Sequence, residues 1–194
     1  MSNVEDTIKN VARQQDQDKN KIEETMQLVV FELDKEEYAV AIADLQEIIT
    51  IPEITPIPNA PHFISGILNL RGKISVVVDL EKRFNLVRDN SDRIDGNIII
   101  TEVEGNNFGV IVDKVSEIIT VPVSSIQATP ALVSSKIHAE YLKGVVVIID
   151  QEKKKSDTEK KNGSRLVILL DLQKMLQEKE LLQLGKTIKD VIEK

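Results

Sequence analysis

Tyr38–Pro52 reads YAVAIADLQEIITIP, and Phe108–Pro122 reads FGVIVDKVSEIITVP. The two stretches align without a gap, and Glu117 answers Glu47 at a spacing of 70 residues. Further landmarks follow in the same order. After each proline comes a loop, then a glycine opening an apolar stretch: GILNL from Gly66 and GVVVI from Gly144. Each half closes with an apolar run into Asp-Leu, SVVVDL at 75–80 and VILLDL at 167–172. One shared hexamer is within reach of chance; four landmarks in one order are not. The chain is a duplication of two β-subdomains, each of roughly 70 residues.

The local signals around these landmarks are those of short strands. MQLVVFEL, the turn DKEE and YAVAI predict a hairpin, and LQEIITIP predicts a third strand closed by the prolines at 52, 56, 58 and 61. PHFISG has room for one helical turn before a second hairpin built on NLRG. Runs such as VVVD and VILLD are apolar at consecutive positions, as expected of strands covered on both faces. Short antiparallel strands covered on both faces predict small closed barrels, which leave no exposed sheet edge. Subdomain 1 is placed at about 25–84 and subdomain 2 at about 95–172. Residues 1–24 are polar and are expected to be a mobile or weakly helical tail. The stretch 150–163, DQEKKKSDTEKKNG with its flanking aspartate, is a charged solvated loop. Beyond Asp171, Leu172, Met175, Leu176, Leu181, Leu184, Ile188 and Val191 recur at helical spacing. They predict an amphipathic C-terminal helix over 173–194, interrupted near Gly185.

Composition narrows the function. The 194 residues are 41% hydrophobic but only 3% aromatic, with no tryptophan, so the core is built from Val, Ile and Leu. A net charge of -7 argues against nucleic acid, which is held mainly through Lys and Arg at phosphates. No stretch approaches the roughly 18 apolar residues of a membrane span, and the N-terminus lacks the apolar centre of a signal peptide. Without cysteine there is no disulfide, thiolate metal site or cysteine nucleophile. A cytoplasmic protein is the expectation.

Two β-halves that each end in a buried aspartate raise the possibility of a carboxylate dyad, as in aspartic proteases. That chemistry needs Asp-Thr/Ser-Gly, whereas Asp79 and Asp171 are each followed by leucine. They are read instead as strand-end residues capping the first turn of a helix. His62 and His138 lie in loops with no partner at ligand spacing, so neither a metal nor another cofactor is expected. Walker, GxGxxG and GxSxG motifs are absent. The chain binds rather than reacts, and catalytic residues are not assigned.

The candidate binding residue is Arg71. By itself it is an ordinary exposed arginine on a hairpin tip, with Gly72 supplying the positive φ. Its company changes the weight: Asn69 and Leu70 precede it, and Glu47 lies on the neighbouring strand with opposite charge. Arginine is also enriched at protein interfaces.

The order YAVAIADLQEII, PNAPHFISGILNLRGKISVVVDL, GVIVDKVSEII, EYLKG and RLVILLDLQKML resembles the CheW family, the coupling proteins of bacterial chemotaxis. The resemblance runs from about Met26 to about Leu176, within a CheW-like domain placed at 25–176. Its most specific parts are the Pro-Asn-x-Pro loop at 58–61 and the Gly66-x-x-Asn69-Leu70-Arg71-Gly72 hairpin. It implies an all-β fold of two duplicated five-stranded SH3-like barrels and no catalytic activity. It implies as partners the regulatory domain of the histidine kinase CheA and the cytoplasmic tip of a methyl-accepting chemoreceptor, with recruitment from the cytoplasm to membrane-associated arrays. Carried over by position, Glu47 and Arg71 match a charged binding pair, and Gly66, Asn69 and Gly72 match the hairpin. Leu45, Ile98 and Ile99 match apolar positions near the groove between the barrels. Val76 stands where the family usually has proline. The alternative expectation is an adaptor of another receptor or motility system, or a small-ligand-binding module.

Overall fold

The computed structural model describes residues 23–86, 96–129, 137–149 and 164–192. The N-terminal tail expected over 1–24 falls outside them up to residue 22, and the lysine-rich loop 150–163 falls outside them entirely. The first half contributes β1 (Thr25–Leu33), β2 (Glu36–Ala41), β3 (Glu47–Thr50), β4 (Ile64–Leu70) and β5 (Lys73–Asp79). The second contributes β6 (Asn97–Val103), β7 (Asn106–Val112), β8 (Lys114–Pro122), β9 (Leu142–Ile149) and β10 (Ser164–Leu170). The helices are α1 (Leu80–Arg83), α2 (Leu172–Leu176) and α3 (Lys179–Ile192).

The strands form two five-stranded sheets, ordered β8-β1-β2-β10-β9 and β3-β6-β7-β5-β4. Replacing each strand by its counterpart in the other half converts one order into the other. The duplication therefore survives as a pseudo-twofold relation. Each sheet, however, takes its first hairpin from one half and its other three strands from the other half. This corrects the division into subdomains at 25–84 and 95–172. The cause lies at Asp113, the single residue between β7 and β8. One residue cannot turn the chain back, so it runs straight from one sheet into the other, and β8 pairs with β1.

Each sheet closes into a barrel through an extra bridge beyond its edge strand, Thr55 to Ile67 in one and Gln127 to Val145 in the other. Closure needs the glycine beside each bridge. A Cβ on Gly66 (φ +147) would stand 2.2 Å from the Thr55 carbonyl oxygen, and one on Gly144 (φ +154) 2.6 Å from that of Gln127.

The apolar runs divide between two environments by strand alternation. Leu28, Val30, Ala39, Val167 and Leu169 fill one barrel, and Leu68, Val77, Ile98, Ile100 and Ile111 fill the other. Their neighbours along the same strands, including Val29, Phe31, Val76, Ile99 and Ile168, pack between the barrels in a shared core. Central strands are thus buried on both faces. Val76 pairs with Ile67 on one side and Phe108 on the other, so a proline there would remove a ladder donor.

Both Asp-Leu motifs cap helices. The Asp79 carboxylate accepts from the Lys82 N–H at 3.2 Å, and that of Asp171 from the Lys174 N–H at 3.0 Å. The C-terminal helix breaks at Gln177–Glu178, between α2 and α3, and is continuous through Gly185. The expected interruption is therefore misplaced. Gly185 is tolerated because it lets α3 lie close to Asn106.

Candidate partner-binding site

The β4–β5 hairpin turns on Arg71 and Gly72, between the paired residues Leu70 and Lys73. Both turn residues have positive φ, 53° and 84°, as two-residue hairpin loops with the strands' natural twist require. For glycine this costs little; for arginine the left-handed conformation is unfavourable and needs support. Asn69 provides some, its Oδ1 accepting from the Gly72 N–H at 2.9 Å. Glu47 forms a 3.2 Å ion pair from its Oε2 to the Arg71 Nη2.

Glu47 lies on β3, the edge of the sheet, opposite Ile100 on β6. The pair therefore joins an edge strand to the hairpin at the far edge, along the same seam that the Thr55–Ile67 bridge closes. The Arg71 side chain is 80% exposed and that of Glu47 29%. A cavity of about 130 Å³ beside the pair is bounded by Gln46, Leu70, Lys73 and Asn107. Gln46 is fixed there by its side-chain bond to Glu102 at 2.9 Å.

The other barrel carries a related pair. Arg165 on β10 contacts Glu117, the repeat counterpart of Glu47, and also Glu37 at 2.6 Å. That guanidinium is only 25% exposed and is held between two carboxylates. The Arg71 guanidinium, paired with one carboxylate, is by contrast 80% exposed.

Glu47, Asn69, Arg71 and Gly72 thus converge on one surface. Leu45, two residues ahead of Glu47, is half-buried against the shared core. Three of the matched residues do not face a partner. Ile98 and Ile99 are fully buried, one inside its barrel and one between the barrels, and Gly66 is buried beneath Thr55. For Ile98 and Ile99 this corrects the expected position near the groove between the barrels, whereas Gly66 lies on β4 of the hairpin as expected. What the sequence did not single out is Ile48, on β3 next to Glu47 and 37% exposed, with Ile51 at 43%. The second EIIT leaves Ile118 exposed in the same way, so the repeat itself carried the signal. His62 and His138 are exposed loop residues, and among the described residues no acidic or histidine cluster could hold a metal ion.

Paired SH3-like barrels with a charged hairpin on an apolar-flanked edge define a protein-binding module. A model of the CheW-like domain matches residues 27–180. The chain is 33% identical over 166 residues to the chemotaxis protein CheW of Treponema pallidum, covering 84% of this chain and 89% of that one. It is 27% identical to the CheW of Thermotoga maritima, over 78% of this chain and 88% of that one. The crystal structure of the scaffolding protein TtCheW from Thermoanaerobacter tengcongensis superposes with a TM-score of 0.63 at 32% identity, covering 83% and 94% of the two chains. The chain belongs to the CheW family and is a chemotaxis coupling protein.

Proposed function

We propose that this adaptor joins the cytoplasmic tip of a methyl-accepting chemoreceptor to the regulatory domain of the histidine kinase CheA. The hairpin at Arg71 and the β3 edge at Leu45–Glu47 form its contact surface. The observation that carries this reading is the state of Arg71: a strongly exposed arginine at a hairpin tip, ion-paired to Glu47 on the opposite edge of the sheet. Membership of the CheW family supports this choice of partners. No described helix is long and apolar enough to cross a membrane, so association with membrane-bound receptor arrays runs through protein contacts. The test is co-sedimentation of the purified chain with the kinase and with a receptor signalling fragment. Retention by both is expected; retention by neither rejects the reading.

A further inference from the structure

We propose that α3 is a strap, anchored at one end, whose docked position holds the chain in a state of low affinity for its partners. The proposal rests on reading the Arg71 hairpin as the partner-binding surface. Three observations support it.

The first is the anchor. At the break between α2 and α3, the Glu178 carboxylate accepts from the Arg83 guanidinium and from the Tyr141 hydroxyl. Arg83 also donates to the Tyr141 oxygen at 2.8 Å and lies over the Phe63 ring, 4.6 Å from its centroid. Phe63 and Tyr141 are repeat counterparts: their carbonyls accept the N–H groups of the two capping aspartates, Asp79 and Asp171, at 2.8 and 2.7 Å. Arg83 thus occupies the seam between the barrels and fastens the start of α3 to it. One turn further on, Leu181 is fully buried in the shared core.

The second is the loose remainder. Leu182, Leu184 and Ile188 pack against the shared core but are only partly buried. A groove of about 350 Å³, open to solvent, runs beside the outer half of α3, lined by Gly185 and Ile188 on the helix and by Ile74, Val76 and Asn107 on the sheet. The buried Asn107 amide oxygen beside it has no hydrogen-bond partner. A helix of this length is marginal in water by itself, so its docking depends on its contacts with the barrels, and among its described apolar side chains Leu181 alone is fully buried.

The third is position. Gly72 and Lys73, which follow Arg71, line this groove, and Lys73 also lines the small cavity beside Glu47. The outer half of α3 and the Arg71–Glu47 pair therefore share one hairpin. A partner that covers the hairpin tip and its flank meets α3 there and must displace it, so binding is weakened by the fraction of molecules in which α3 is docked.

The chain has no cysteine, which permits a clean staple. A Cβ on Gly185 would lie 3.4 Å from that of Asn106, close to the roughly 3.5–4.5 Å of disulfides. Gly185→Cys with Asn106→Cys is titrated with the kinase regulatory domain and the receptor fragment, oxidised and reduced. Oxidation should weaken binding by about tenfold or more, and reduction should restore it. Equal affinity in the two states overturns the strap. Glu178→Ala gives an independent measurement: amide exchange across α3 should accelerate and affinity rise. Faster exchange with unchanged affinity also overturns the proposal. Failure of the unsubstituted protein to bind either partner would instead reject the functional reading on which the strap rests.

Discussion

Glu47 and Arg71 are held 3.2 Å apart by opposite edges of one sheet, and the pair is mostly in water. Exposed pairs of this kind contribute ~0–1 kcal/mol, so Arg71→Ala should leave unfolding almost unchanged. Arg165 is the contrasting case, half-buried between Glu37 and Glu117. Its removal would leave two carboxylates facing each other, and Arg165→Ala should cost about 1–3 kcal/mol. Denaturant unfolding of the two variants checks the difference. Equal losses would show that burial does not separate the two copies.

The two closing glycines should be intolerant of any side chain. Gly66→Ala and Gly144→Ala combine an unfavourable φ with a clash against a loop carbonyl. Strain of ~1–3 kcal/mol and overpacking of ~1–3 kcal/mol together predict a loss of about 2–6 kcal/mol for each. Gly72 has the turn conformation but open space around it, so Gly72→Asn should cost less than about 1 kcal/mol. Chemical denaturation of the three variants tests the ranking. A mild Gly66→Ala would mean that the Thr55 bridge is not what closes the barrel.

Much of this architecture was legible in the sequence. EIITIP and EIITVP mark counterpart edge strands, consecutive apolar residues mark strands buried on both faces, and Asp79 and Asp171 are the helix caps they were read to be. The exchange of hairpins between the halves was not legible. Counterpart strands offer the same neighbours whichever copy they pair with, so periodicity cannot distinguish the two arrangements. Only the one-residue link at Asp113 decides between them. Ile98 and Ile99 were misplaced for a related reason: adjacent strand residues face opposite sides, and here both sides are core. At the break, Glu178 contacts Arg83, 95 residues away in the chain, which no local pattern reveals.

The two tyrosines predict the alkaline limit of stability. Burial, and then its bond to Glu36, pushes the Tyr38 phenol above its ordinary range. Burial, and then the bond to Glu178, pushes Tyr141 up to about 12. An unfolded phenol titrates near 10, so the folded state retains these protons to higher pH than the unfolded chain does. Their stabilising contribution is therefore full below about pH 10 and is lost as pH rises through about 12. Phenolate absorbance should appear together with unfolding above pH 10. A tyrosine that ionises near pH 10 in the intact fold would contradict the burial of these hydroxyls.

The segment 151–163 should be replaceable. Ile149 and Ser164 are paired opposite each other at the ends of β9 and β10, so a short Gly-Asn connection can join them. Closure entropy changes only slowly with loop length, at roughly 0.6 kcal/mol per doubling. Thermal unfolding of the shortened chain should lie close to that of the original. A large fall in the melting temperature would show that the segment packs on a barrel.

Arg71→Glu separates a binding role from a structural one. In the fold, the substitution replaces a weak exposed pair with like charges at the end of a hairpin, and solvent screens most of that repulsion. The circular dichroism spectrum and the melting temperature should therefore stay near those of the original protein. At an interface the consequence is much larger. Truncating a desolvated arginine anchor costs ~2 kcal/mol or more, over tenfold in affinity, and reversing its charge adds repulsion. Coupling of receptor to kinase should be abolished while the fold persists. Glu47→Arg made together with Arg71→Glu restores the ion pair with its direction reversed. If coupling returns in that double variant, the pair acts by holding the hairpin in shape. If it does not, the Arg71 guanidinium is itself read by the partner, the outcome expected from its 80% exposure. Normal binding of kinase and receptor by Arg71→Glu would remove the hairpin from the contact surface, and unfolding of the variant would make Arg71 a structural residue.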